Sequence, residues 1–139
     1  MTTIVITGGR TFAHEEALRA ALDAIHKEAA VTLLVHGCAR GADSLAEEWA
    51  WSRGLKSEGH VAFWRAVGKR AGLERNERMI KAHLGARALI AFPGGRGTEH
   101  CVWTARRLMV PVFRVTTTHK GDFEFAAEAA FAAKERGIA

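Results

Sequence analysis

The chain has 139 residues, 48% hydrophobic and 25% charged, which is one globular domain's worth and excludes a mainly disordered chain. Its formal net charge is +5 at pH 7, and no apolar run reaches the roughly 18–20 residues that span a bilayer. The start, MTTIVITGGR, lacks a basic segment followed by a long apolar one, so a single cytoplasmic domain over residues 1–139 is expected.

Ile4-Val5-Ile6 predicts a buried strand that turns at Thr7-Gly8-Gly9-Arg10. A helix follows from Ala13 to about Lys27, with Leu18, Leu22 and Ile25 at helical spacing and Glu15 and Glu16 in its first turn. Val31–Val35 predicts the second strand, and about Ala42–Arg53 the second helix, closed by Gly54. A short third strand is expected within His60–Phe63, then an irregular basic loop from Phe63 to Gly72 and a helix over about Leu73–His83. Ala88–Phe92 predicts the fourth strand, about Thr98–Met109 a helix and Val112–Val115 the fifth strand. An Ala-rich helix is expected over roughly Phe123–Arg136. Strands alternating with helices, and reading as continuous apolar runs, predict an α/β three-layer domain: a parallel sheet of about five strands with helices on both faces.

Two cysteines, Cys38 and Cys101, make no disulfide framework and no zinc pair, and seven scattered histidines show no ligand spacing. No metal and no resident cofactor are therefore expected. Basic charge concentrates between His60 and Arg107, where ten Lys and Arg face three acids, Glu74, Glu77 and Glu99. Such a cluster attracts phosphate, on a nucleotide or on a nucleic-acid backbone.

Three of the five expected strands end in a glycine-rich turn that carries an arginine: Gly8-Gly9-Arg10, Gly37-Cys38-Ala39-Arg40-Gly41 and Gly94-Gly95-Arg96-Gly97. In a parallel sheet all three fall on one edge, beyond the strands' carboxyl ends, where α/β ligands bind. Glycine allows close backbone approach, helix N-termini offer unpaired amides, and arginine grips phosphate with two bonds. Thr98 could cap the following helix or donate to phosphate, and Arg75-Asn76, placed at the opening of the helix before strand four, could reach the same edge. None of the loops is G-x-G-x-x-G or G-x-x-x-x-G-K-[ST], which disfavours dinucleotide binding in the usual manner and P-loop hydrolysis.

Thr7-Gly8-Gly9-Arg10, His36-Gly37-x-Ala39-Arg40-Gly41-Ala42-Asp43, Arg75-Asn76-x-x-Met79 and Phe92-Pro93-Gly94-Gly95-Arg96-Gly97-Thr98 together resemble the SLOG superfamily. The match is closest to its small YspA-like, cpYpsA-related branch, and more distant to the LOG-type phosphoribohydrolases and the DNA-processing protein DprA. The resemblance covers about residues 4–115 and implies a Rossmann-like sheet with a nucleotide or nucleotide-derived ligand at the loop edge. In the LOG enzymes an arginine and a glutamate after P-G-G-x-G-T cleave the N-glycosidic bond of a nucleoside 5′-monophosphate. Arg75 matches that arginine, Asn76 replaces a lysine, and His100 stands where the first glutamate is expected, with Glu99 one residue early.

Arg75, Glu99, His100 and Asp43 are therefore the candidate catalytic residues. Asp43 could equally cap the second helix or hold Arg40 or Arg10. Cys38 reads as small-residue packing, although a helix N-terminus could lower its pKa. Trp49 and Trp51, two apart on one helix, cannot both face the core; Trp64 could stack on a base or anchor the core; Trp103 could face a dimer partner. The leading expectation is a nucleotide-binding sensor or sequestering domain. The alternatives are a phosphoribohydrolase and a single-stranded nucleic-acid binder. A homodimer and no membrane partner are expected.

Overall fold

The structure, a computed structural model, describes residues 1–117 and 123–125. Five strands run parallel in the order β3-β2-β1-β4-β5: β1 (Thr3–Thr7), β2 (Leu33–His36), β3 (Lys56–Gly59), β4 (Ala88–Ala91) and β5 (Val112–Thr117). A sixth, β6 (Phe123–Phe125), pairs antiparallel with β5.

Alternation along the strands makes two cores. Ile4, Ile6, Leu34, Ala88, Ile90 and Phe113 face α1 (Glu15–Glu28) and α2 (Ala42–Ser52), packing on Leu18, Leu22, Ala46 and Trp49. Val5, Val35, Leu89 and Ala91 face the other way, toward α4 (Ala71–Lys81) and α5 (Arg96–Arg107), meeting Met79, Ile80, Cys101, Val102 and Ala105. Each Leu or Ile buried completely stabilises this Rossmann-like sandwich by about 1.5–3 kcal/mol. Trp49 is fully buried and its Nε1 donates to Asp23 Oδ1 at 2.8 Å, while Trp51 is 67% exposed, so the two tryptophans divide between core and solvent.

From β1 the chain moves through α1 to β2 on one side; from β3 it crosses through α4 to β4 on the other. The strand order therefore reverses between β1 and β4, and a crevice opens beyond their carboxyl ends.

Four sequence-based expectations are corrected. The third strand is Lys56–Gly59, not within His60–Phe63; as an edge strand it needs only backbone pairing with β2, so its polar sequence gave no apolar signal. The expected basic loop holds a short helix, α3 (Trp64–Val67), and a 3₁₀ turn at Gly68–Arg70. Helix α4 starts at Ala71, so Arg75 and Asn76 lie one turn inside it rather than at its opening. Phe123–Phe125, expected to begin a helix, is strand β6, because β5 still had an edge to pair; the remainder of that expected helix, 126–136, lies outside the described residues.

Candidate functional site

The loops after β1 and β4 are laced together across the crevice. Phe92 N–H donates to Thr7 O, and Gly9 N–H to Pro93 O, both at 2.9 Å. Ala42 N–H at the start of α2 donates to Gly9 O at 3.3 Å, which ties in the β2 loop. Gly41 has φ +78°, and a Cβ there would strike the carbonyl oxygens of Gly9 and Arg10. Only glycine lets the second loop pass so close to the first.

Between these loops and α4 lies a cavity of about 410 Å³. Gly8, Gly9 and Arg10 line it from the first loop, Gly37 and Asp43 from the second, and Gly95, Gly97 and Thr98 from the third. Arg75, Asn76 and Met79 of α4 close another wall. Arg40 lines an adjoining chamber of about 250 Å³, shared with Arg10, Trp64 and Arg75.

Arg75 lies over Gly37, so closely that a Cβ on that glycine would stand 2.6 Å from Nη1 and 2.7 Å from Cζ. Its Nη1 donates to Gly37 O, and its Nε donates to Asn76 Oδ1 at 2.9 Å. Asn76 is buried, and its Nδ2 donates to Gly97 O and to His100 Nδ1, each at 3.2 Å. That second bond leaves the ring proton of neutral His100 on Nε2. Asn76 thus joins Arg75, the third glycine loop and His100. The two positions that depart from the LOG pattern, Asn76 and His100, touch one another.

Asp43 is the buried acid of the cleft, only 5% exposed. Its Oδ2 accepts from Gly37 N–H at 3.0 Å and Ala39 N–H at 3.2 Å, which holds the second loop in shape. Its Oδ1 is buried and meets no donor among the described residues. Burial raises its pKa, against the loop amides of Ala39 and Gly37 and the positive charge of Arg75, which pull it down. Its bonds correct the expectation that it would hold Arg40 or Arg10.

Glu99 is not brought to the cleft. Both its oxygens accept from Arg114, at 2.8 and 2.9 Å, and that hydrogen bonding lowers its pKa. His100 lies on the outer side of Asn76 and lines a separate groove with Glu77 and Arg78. Its pKa is lowered, first by burial. Thr98 is buried in the first turn of α5 and does not cap it; the cap position is Gly95. Gly94 and Arg96 are exposed and lie off the cavity wall.

Cys38 is an exposed residue with φ +58° whose sulfur packs against Gly59, and its pKa is raised, chiefly by desolvation and then by Asp43 and Glu47. This is the opposite of an activated nucleophile. Cys101 is packed in the core, and burial pushes its thiol up to about 12.

Lys69 lines the cavity and was not singled out by the sequence; its basic segment gave no motif to mark it. Trp64 also lines the cavity, half-exposed, with the Arg10 guanidinium 5.5 Å from its ring centre. Elsewhere the basic excess is partly neutralised on the outer helix face, where Arg78 pairs with Glu74, and Lys81 and Arg107 with Glu77. Among the described residues, the cations that face the cleft are Arg10, Lys69 and Arg75.

A model of the YspA, cpYpsA-related SLOG family matches residues 2–66. The Gene 61 protein of Mycobacterium phage D29 is 40% identical over 122 residues, spanning 81% of this chain and 94% of the relative. The X-ray structure of TM1055, a structural genomics target, superimposes with a TM-score of 0.63 at 15% identity, covering 88% of this chain and 77% of that one. That likeness is one of fold.

Proposed function

Because the chain belongs to the YspA, cpYpsA-related SLOG family, we propose that its carboxyl-edge cleft holds a nucleotide or nucleotide-derived phosphate ligand, as a sensor or sequestering domain. The observation that carries this reading is the single cavity lined at once by all three glycine loops and by Arg10, Lys69 and Arg75. Backbone amides at the starts of α2 and α5 and three cations suit a phosphate. Asp43 Oδ1, buried and lacking a protein donor among the described residues, suits a hydroxyl or N–H of the same ligand. Trp64 beside Arg10 offers a ring face to a base.

Binding is favoured over turnover by the position of the acids. Glu99 is held outside by Arg114, and His100 is tied to Asn76 on the groove side. A phosphoribohydrolase is the second reading, and Asp43 supports it. A carboxyl of raised pKa beside Arg75 is the form of acid that could protonate a leaving base. A homodimer in the cytoplasm belongs to the same proposal, supported by the half-exposed Trp103 under Arg107 and by two unpaired thiols.

The test is calorimetric titration with nucleoside 5′-mono-, di- and triphosphates, with chromatographic assay for free base in the same samples. Binding weakened by about 10- to 100-fold in Arg75→Ala, without base release, is the expected result. Base release that disappears in Arg75→Ala would establish the hydrolase instead. No affinity across the panel would overturn the nucleotide reading.

A further inference from the structure

Three potential ligands that do not line the cavity meet at the outer edge of the sheet. Glu58 is in β3, His60 follows that strand, and His83 lies in the turn after α4. The ligating atoms of all three lie within 4.8 Å of one another. His60 Nε2 is 2.6 Å from Glu58 Oε2, and His83 Nε2 reaches the same oxygen. The two rings stand perpendicular, their centres 5.8 Å apart.

The backbone fixes each position. Glu58 is opposite Val35 in the parallel register, His60 N–H donates to His36 O at 2.9 Å, and His83 N–H donates to Ile80 O at 3.0 Å. Both imidazoles are shielded, with side chains 15% and 16% exposed, while Glu58 is 42% exposed.

We infer that Glu58, His60 and His83 form a binding site for a divalent transition-metal cation, with Zn²⁺ the best match to two imidazoles and one carboxylate. Imidazole nitrogen with carboxylate oxygen suits zinc and disfavours Mg²⁺ or Ca²⁺, which prefer all-oxygen sets. In a tetrahedral zinc site the ligand atoms stand roughly 3.3 Å apart. The two Glu58–histidine contacts are shorter than that and lengthen toward it when the carboxylate draws back, and Glu58, the most exposed member, is the one able to move. Water supplies the fourth ligand.

Such an ion clips the polar edge strand β3 to the α4–β4 turn across the sheet edge. Val61 and Ala62, directly after His60, line the chamber shared by Arg40 and Trp64, so the clip also steadies one wall of the candidate nucleotide site. The histidines are 23 residues apart in sequence, which is why no spacing rule revealed them.

The experiment is calorimetric titration of ZnCl₂ into the full chain after chelator treatment, with melting temperatures measured in zinc and in EDTA. One Zn²⁺ per chain is expected, with a higher melting temperature in zinc. His83→Gln and Glu58→Ala should each lose at least about tenfold in affinity, and His14→Gln should lose none. Melting in EDTA shows that the variants are folded. No stoichiometric zinc binding by the natural chain overturns the inference, and so does binding that survives unchanged in both ligand variants.

Discussion

Asp43 and Glu99 both sit in the first turn of a helix that begins at a glycine after a parallel strand. The first is buried against two loop amides with its pKa raised; the second lies half in solvent, clasped by Arg114, with its pKa lowered. The glycines at the two helix starts differ as well. Gly41 holds a positive φ hard against the first loop, whereas a Cβ at Gly95, with φ −107°, would meet nothing within 4 Å. The β2 loop is locked into the crevice and the start of α5 is open. Similar local sequence produces two different chemical environments, because one helix begins beneath a neighbouring loop and the other beside water.

The strongest way to break this contrast is at the glycines. Gly41→Val puts a branched side chain into a left-handed backbone and into two carbonyl oxygens, and should cost about 3 kcal/mol or more. Gly95→Ala should cost under about 1 kcal/mol. Urea denaturation of the two variants measures the difference, and equal costs would refute the idea that the start of α2 is locked while that of α5 is open.

Next in size is Asp43. Asp43→Ala leaves the N–H groups of Gly37 and Ala39 without their acceptor and should destabilise by about 2 kcal/mol. Asp43→Asn keeps an acceptor and removes the buried charge. Because the folded pKa is raised, the folded chain binds this proton more tightly, and stability from Asp43 declines as pH rises above the ordinary carboxylate value of about 4. Asp43→Asn should remove that decline, melting at pH 7 no lower than the natural chain. Melting curves across pH 4–8 provide the check.

The smallest effect belongs to Glu99, with the opposite sign. Its lowered pKa gives stability that is complete above about pH 4.3 and lost as pH falls through its folded value. Since the pair is exposed to solvent, Glu99→Gln should cost less than about 1 kcal/mol at pH 7. It should also leave nucleotide affinity within about twofold, because Glu99 is absent from the cavity wall. A large loss of affinity in that variant would return Glu99 to the site.

Much of the fold was legible because it rests on local pattern. Ile4–Ile6 and Ala88–Phe92 read as buried strands, and Leu18, Leu22 and Ile25 as a helix face, since apolar periodicity follows directly from which side must leave water. Lys56–Gly59 was illegible as a strand, because its partner is a neighbour's backbone rather than a core. In the site, the three glycine loops and Arg75 could be placed from their motifs and the strand order. Lys69 could not, lying on a short helical segment whose course depends on where α4 begins.

The sequence by itself determined the alternation of strand and helix, the glycine turns that close three strands, and the arginines within them. These depend on side-chain volume, backbone freedom and charge, which each residue carries wherever it sits. Only the tertiary structure decided which acid is buried, that Asn76 meets His100, and that His60 and His83 share Glu58. Those outcomes follow from distance and solvent access between segments far apart in the chain, and a carboxylate or imidazole takes its chemistry from what the fold places against it.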